Sequence, residues 1–207
     1  MRFVDGLLRQ LTVANQLTFL RLLAVPAVPL ALLSGSPRFA LGIFLVAGVT
    51  DALDGLAARR LGQQTPLGAV LDPIADKLII LVTYVALSIP GRPAAFPSFE
   101  LTDHLPAWLT LLVVLRDLLI VIVCVALYLA HQMRRFPPSR LGKATTALEL
   151  ATASVFLVAN GWPGIVPGEV LQALTVTTAV LVVGSGVHYS LATSRDLGRL
   201  DGPEDRD

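Results

Sequence analysis

Four aspartates, Asp51, Asp54, Asp72 and Asp76, fall within 26 residues of a strongly apolar chain. An ionised side chain at the depth of a membrane helix costs ~2.5 kcal/mol or more unless it meets a partner, water or a metal. Asp51, Asp54, Gly55 and Ala58 follow the spacing i, i+3, i+4, i+7, which puts them on one helical face. Gly68, Asp72 and Asp76 step by four along one stripe of a second helix. Gly62 to Pro66 make a short connection, so the two helices are expected to be antiparallel neighbours with facing carboxylates. The small residues Gly55, Ala58 and Gly68 leave room for close backbone approach or a ligand. Four facing carboxylates repel one another, and a divalent cation relieves that repulsion. The donors are all oxygen, with no His or Cys nearby, which favours Mg²⁺ or Mn²⁺ over Zn²⁺; four carboxylates suffice for two ions bridging substrate phosphates. Two other readings stay open at this point. The acids can pair with Arg59, Arg60, Lys77 and Arg116 to hold helices together, or form the relay of an ion or proton transporter. The chain has no convincing internal repeat of the kind transporters carry.

The elements that position these residues are helices that match a bilayer. Of 207 residues, 54% are hydrophobic and 15% charged, against roughly 25% charged in a soluble domain. Six apolar spans are expected at 15–34, 37–60, 66–89, 106–131, 141–160 and 168–192, each near the ~20 residues needed to cross. The fold class is therefore an all-α integral membrane bundle. Residues 1–14 form a possible amphipathic segment at the membrane surface, 15–192 the helical domain and 193–207 a polar tail. Arg21 inside the first span, and that span's length, argue for an uncleaved helix over a signal peptide. With the N-terminus inside, eleven Lys and Arg residues fall on the inner side and two, Arg38 and Arg92, on the outer. This bias puts both termini in the cytoplasm. Asp51 and Asp76 then lie ~15 Å from the inner helix ends, so a site there opens toward the cytoplasm. Trp108 and Trp162 fall at the outer boundary as interfacial anchors. The net charge of +1 and the lack of a basic tract give no sign of a nucleic-acid polymer as partner. Cys124, the single cysteine, sits in an apolar run and reads as a small buried residue.

The run D-A-L-D-G-L-A-A-R-R-L-G-Q-Q-T-P-L-G-A-V-L-D-P-I-A-D, from Asp51 to Asp76, resembles the signature of the CDP-alcohol phosphotransferase family, D-x₂-D-G-x₂-A-R-x₈-G-x₃-D-x₃-D. Every fixed position is filled. At about 6% average usage per residue, a chance match is on the order of 10⁻¹⁰ per start position. The resemblance is firm over roughly residues 14–150. It implies a six-span enzyme that moves a phosphatidyl group from CDP-diacylglycerol to an alcohol acceptor and releases CMP. Asp51, Asp54 and Asp72 would be the core metal ligands, and Asp76 the general base, also able to touch a second ion. Gly55, Ala58, Arg59 and Gly68 would line the nucleotide pocket, joined by Asn15, Thr18 and Arg21 of the first span, whose N-Q-L-T-F-L-R also resembles the family's opening segment. A homodimer in the cell membrane is implied as well.

Asp72-Pro73-Ile74-Ala75-Asp76-Lys77, Arg116-Asp117 and Ser139-Arg140-Leu141-Gly142-Lys143 resemble the phosphatidylglycerophosphate and cardiolipin synthases of the family more than its inositol or serine enzymes. Arg116 and Lys143 are thus candidates to grip an acceptor phosphate. The plain alternatives are pairing with Asp117 or a metal-site acid for Arg116, and a positive-inside anchor for Lys143. Arg-Asp where Arg-Glu is associated with glycerophosphate enzymes favours cardiolipin synthesis from phosphatidylglycerol, with glycerol 3-phosphate as the alternative acceptor.

Overall fold

A computed structural model describes the backbone of residues 13–61, 66–91, 93–131 and 140–200, and the side chains of 22–50, 77–91, 93–123 and 140–191. These residues form six helices and no strand: α1 (Val13–Leu33), α2 (Pro37–Leu61), α3 (Pro66–Leu87), α4 (Ala107–His131), α5 (Arg140–Gly161) and α6 (Gly168–Leu200). Helix starts and stops follow the local chemistry. At the end of α1, Gly35 adopts φ 76°. Its N–H donates to Leu32 O and the Ser36 N–H to Ala31 O, both at 2.9 Å, the paired bonds of a Schellman stop. Pro37 then opens α2, where its missing N–H costs nothing. Pro66 opens α3 in the same way. Within α1, Pro26 and Pro29 each remove one N–H from the helical ladder.

Among the described residues two helices, α5 and residues 168–191 of α6, are long and apolar enough to cross a membrane. The expected spans agree with the helices to within two residues, except at the end of α6. Apolarity ends at about 192, but the helix continues to Leu200. Ala192 to Leu200 contain no proline, and polarity alone does not break a helix.

The chain forms two compact units, one of residues up to Leu105 with Ala153–Gly168, the other of Pro106–Thr152 with residues from Glu169 onward. In the first unit α1 packs against both α2 and α3. The segment between α3 and α4 is fastened to one end of this unit. Phe99, Leu101 and Leu105 are buried, and the Leu105 N–H donates to Leu87 O at 2.9 Å. Asn160 of α5 binds it with a fully used side-chain amide. Its Oδ1 accepts from the Thr102 and Asp103 N–H groups at 2.8 and 3.1 Å. Its Nδ2 donates to Asp103 O and Phe156 O, both at 2.8 Å. Arg38 near the start of α2 donates from Nε to Gly161 O at 2.7 Å and lies 5.0 Å from the centre of the Trp162 ring. A cation is thus placed on the last carbonyls of α5, where the helix dipole favours it. Trp162 and Trp108 are both exposed.

In the second unit, hydroxyls join α5 to α6. Thr152 and Thr178 share a 2.8 Å hydrogen bond, and Thr145 Oγ1 donates to Leu141 O at 2.8 Å and to Leu181 O at 3.4 Å. Large apolar side chains face outward instead of water-seeking ones: Leu111, Leu115, Leu118 and Ile122 on α4, and Val180 and Val187 on α6, are all exposed. Soluble proteins rarely expose so continuous an apolar surface.

Candidate active site

Within the first unit the acidic signature is carried by the last half of α2 and the first half of α3. Both helices run without a break through it, so the predicted register applies. Asp51 and Asp54 are separated by about 4.5 Å along α2, and Asp72 and Asp76 by about 6 Å along α3. The side chains of Asp51, Asp54, Gly55, Ala58, Arg59, Gly68, Asp72 and Asp76 lie outside the described residues. So do those of Asn15, Thr18 and Arg21, whose backbone forms the opening turns of α1. Within this unit α1 contacts both α2 and α3. Immediately ahead of Asp51, the Thr50 hydroxyl donates back to Val46 O and Ala47 O at 2.8 and 2.9 Å, which ties it to its own helix.

The signature begins about halfway along these helices from the end that carries the Asn160 fastening. Pro37, Leu87 and the α1 stop share one end, while Asp51 is fourteen residues into α2, about 21 Å along its axis. The donor set is four carboxylates on two helices of one compact unit, with no soft ligand among them. That chemistry fits a hard divalent cation.

Arg116, a sequence candidate whose side chain is described, is in the second unit. It is buried, with 7% of its surface exposed. Its Nη1 donates to Asp117 Oδ1 at 2.7 Å in an ion pair, and its Nε donates to Ser185 Oγ at 3.1 Å. The pairing with Asp117 proposed as the plain alternative for Arg116 is therefore formed. A guanidinium has five N–H donors, so these bonds leave three for other partners. Gly186 lies beside the stem: a Cβ there would sit 3.8 Å from Arg116 Cγ, an ordinary van der Waals contact. Arg116 lines a groove of about 330 Å³ between α4 and α6. Lys143, on the first turn of α5 in the same unit, is exposed.

Ser185 was not legible as the partner of Arg116, since nothing local marks it among the small residues of α6. A signal for the α5 seam did exist. Thr145, Glu149 and Thr152 follow i, i+4, i+7, and all three are fully buried.

Residues 11–184 match the model of the CDP-alcohol phosphatidyltransferase family, and the chain belongs to that family. It is accordingly a transferase of phospholipid biosynthesis. It is 34% identical to a probable phosphatidylglycerophosphate synthase of Mycobacterium tuberculosis, over 95% of this chain and 88% of that protein. It is 35% identical to a CMP-forming cardiolipin synthase of Streptomyces coelicolor, over 74% of this chain and 68% of the relative. With the human CMP-forming cardiolipin synthase the identity is 27%, over 88% of this chain and 62% of the human protein.

Proposed function

We propose that this enzyme transfers a phosphatidyl group from CDP-diacylglycerol to the hydroxyl of phosphatidylglycerol, forming cardiolipin and releasing CMP in a reaction that depends on a divalent metal. The observation that carries the reaction class is the complete acidic signature on α2 and α3, two helices packed on a shared neighbour. Asp51, Asp54 and Asp72 hold Mg²⁺ or Mn²⁺, with Asp76 able to contact a second ion. When bound, the metal neutralises charge on the phosphoryl oxygens. Asn15, Thr18, Arg21, Gly55, Ala58, Arg59 and Gly68 surround the cytidine nucleotide. Asp76 takes the proton of the acceptor hydroxyl, whose oxygen attacks the phosphorus bearing the diacylglycerol. The bond from that phosphorus to the CMP oxygen breaks, and CMP departs. Arg116 and Lys143 grip the acceptor phosphate through charge-assisted hydrogen bonds.

The protein is a six-span membrane bundle with both termini in the cytoplasm and the site opening to that side. The positive-inside bias and the outward-facing apolar side chains of α4 and α6 support this topology. The cardiolipin reading is supported by Arg116-Asp117 in the sequence, where glycerophosphate enzymes are associated with Arg-Glu, and by relatives bearing that name. A second reading, with glycerol 3-phosphate as acceptor, is favoured by the match to the mycobacterial relative over nearly the whole chain.

The test is CMP release by purified protein from CDP-diacylglycerol with Mg²⁺ and a panel of acceptors. Arg116→Ala and Lys143→Ala should each raise acceptor KM about ten- to a hundredfold, the value of one charged hydrogen bond, with donor KM nearly unchanged. Preference for uncharged inositol, or unaltered acceptor kinetics in both variants, would refute the acceptor assignment. Turnover of glycerol 3-phosphate alone would select the second reading.

A further inference from the structure

We infer that the groove between α4 and α6 seats an acyl chain of the lipid acceptor beside Arg116, so that the enzyme selects a phosphodiester lipid over a small phosphomonoester. This rests on the acceptor reading above and specifies where the acceptor's tail lies. Among the described residues the groove has an apolar wall and one charged member. Val182 forms its buried floor, while Leu115, Val183, Val187 and Leu191 are about half exposed along its rim. It is therefore open along its length, as entry of a chain from the surrounding lipid requires. Its α6 side, from Val182 to Leu191, extends about 14 Å along the helix axis. That length suits a run of methylenes and exceeds what a glycerol needs.

Arg116 supplies the charge complementarity. Its side chain is held by Asp117 and Ser185, and three of its five N–H donors remain for a ligand. The carboxylate of Asp117 offsets the guanidinium charge, so the pair presents donors with little net positive charge. A dianionic phosphomonoester would meet Asp117 as a like charge, and Lys143 adds only one further cation to compensate it. A singly charged phosphodiester takes the same hydrogen bonds with less repulsion. An amphiphile with one such phosphate and an acyl chain matches both parts of the groove. Because lipid tails are as apolar as leucine, the chain's fit contributes through packing and orientation, not through transfer from water.

The unmodified protein gives the first test. With CDP-diacylglycerol fixed, acceptor kinetics are compared for dioleoyl phosphatidylglycerol, dioctanoyl phosphatidylglycerol, deacylated glycerophosphoglycerol and glycerol 3-phosphate. The second test fills the groove by Gly186→Leu, with Gly42→Leu in the apolar groove of the first unit as control; a Cβ on Gly42 meets nothing within 4 Å. Glycerophosphoglycerol should have a KM at least about tenfold above the dioleoyl lipid, a difference of about 1.4 kcal/mol. Gly186→Leu should raise KM for dioleoyl phosphatidylglycerol by a similar factor, with donor KM and kcat preserved, and Gly42→Leu should not. If phosphatidylglycerol is used but neither chain length nor Gly186→Leu alters its KM, the groove assignment is wrong while the acceptor reading stands. A rise in donor KM instead assigns the groove to CDP-diacylglycerol and overturns the inference. Use of glycerol 3-phosphate alone overturns both.

Discussion

Replacing Asn160 by leucine removes a side chain of nearly the same size whose amide makes four hydrogen bonds in the first unit. Three of those bonds reach residues 57 or 58 positions away in the segment between α3 and α4. The fourth, to Phe156 O, is local to α5. Leucine leaves the Thr102 N–H, the Asp103 N–H and Asp103 O without these partners. Thr102 is exposed and regains water, whereas Asp103 is half-buried and Asn160 itself is 6% exposed. A buried polar group stripped of its partner costs about 1–3 kcal/mol, so with one group relieved by water the loss should be about 2–4 kcal/mol. At about 2–4 °C per kcal/mol for a chain of this size, the apparent Tm in detergent should fall by roughly 4–16 °C. The acids of the signature lie at least about 16 Å along α2 and α3 from this end of the unit, so kcat at 25 °C should stay within about twofold. An unchanged Tm in Asn160→Leu, or lost kcat without lost Tm, would refute this account of the fastening.

Three further outcomes are expected. Gly35→Ala should lower Tm, because a left-handed φ costs an L-residue about 1–2 kcal/mol and the new Cβ runs into the Ser98 carbonyl oxygen; a stability equal to that of the parent protein contradicts the turn described. Asp51→Asn, Asp54→Asn and Asp72→Asn should each weaken Mg²⁺ binding, read by metal titration, together with CMP release, and full activity in all three would remove the metal assignment. Asp76→Asn should keep CDP-diacylglycerol affinity while losing about 10²- to 10⁴-fold in kcat; lost nucleotide affinity with normal turnover at saturation would deny it the role of base.

The helices were legible because their limits are written in residues that act locally. Gly35-Ser36-Pro37 stops one helix and opens the next, and Pro66 opens the third. The end of α6 was not legible from hydropathy, since a membrane boundary is set by polarity and a helix end by backbone chemistry. The acidic signature could be read because its spacing encodes its faces. Asn160 and Ser185 could not, because their partners are 57 or more residues away in the chain. Trp162 was read as an interfacial anchor and is exposed, but its contact with Arg38 needs the start of α2 and the end of α5 to meet. Spacing within one helix gives no information on such a meeting.

Polar side chains within these apolar helices fall into two groups, and hydrogen-bonding capacity separates them. Asn160 uses both its acceptor and its donor, Thr152 and Thr178 bond each other, and Thr145 returns its hydroxyl to Leu141 O. Such groups are satisfied inside the protein, so they hold helices and loops together and have little left for a ligand. Arg116 differs, because two bonds fix its geometry and three donors remain. Fixing without exhausting is what a binding cation needs: the order is established before the ligand arrives, and less entropy is lost on binding. Ser185→Ala therefore separates positioning from contact. It removes one 3.1 Å bond to Nε and none of the remaining donors, so it should raise acceptor KM by less than Arg116→Ala does. Equal effects would mean that Arg116 serves the α4–α6 packing alone, and the acceptor phosphate would then have to be held elsewhere.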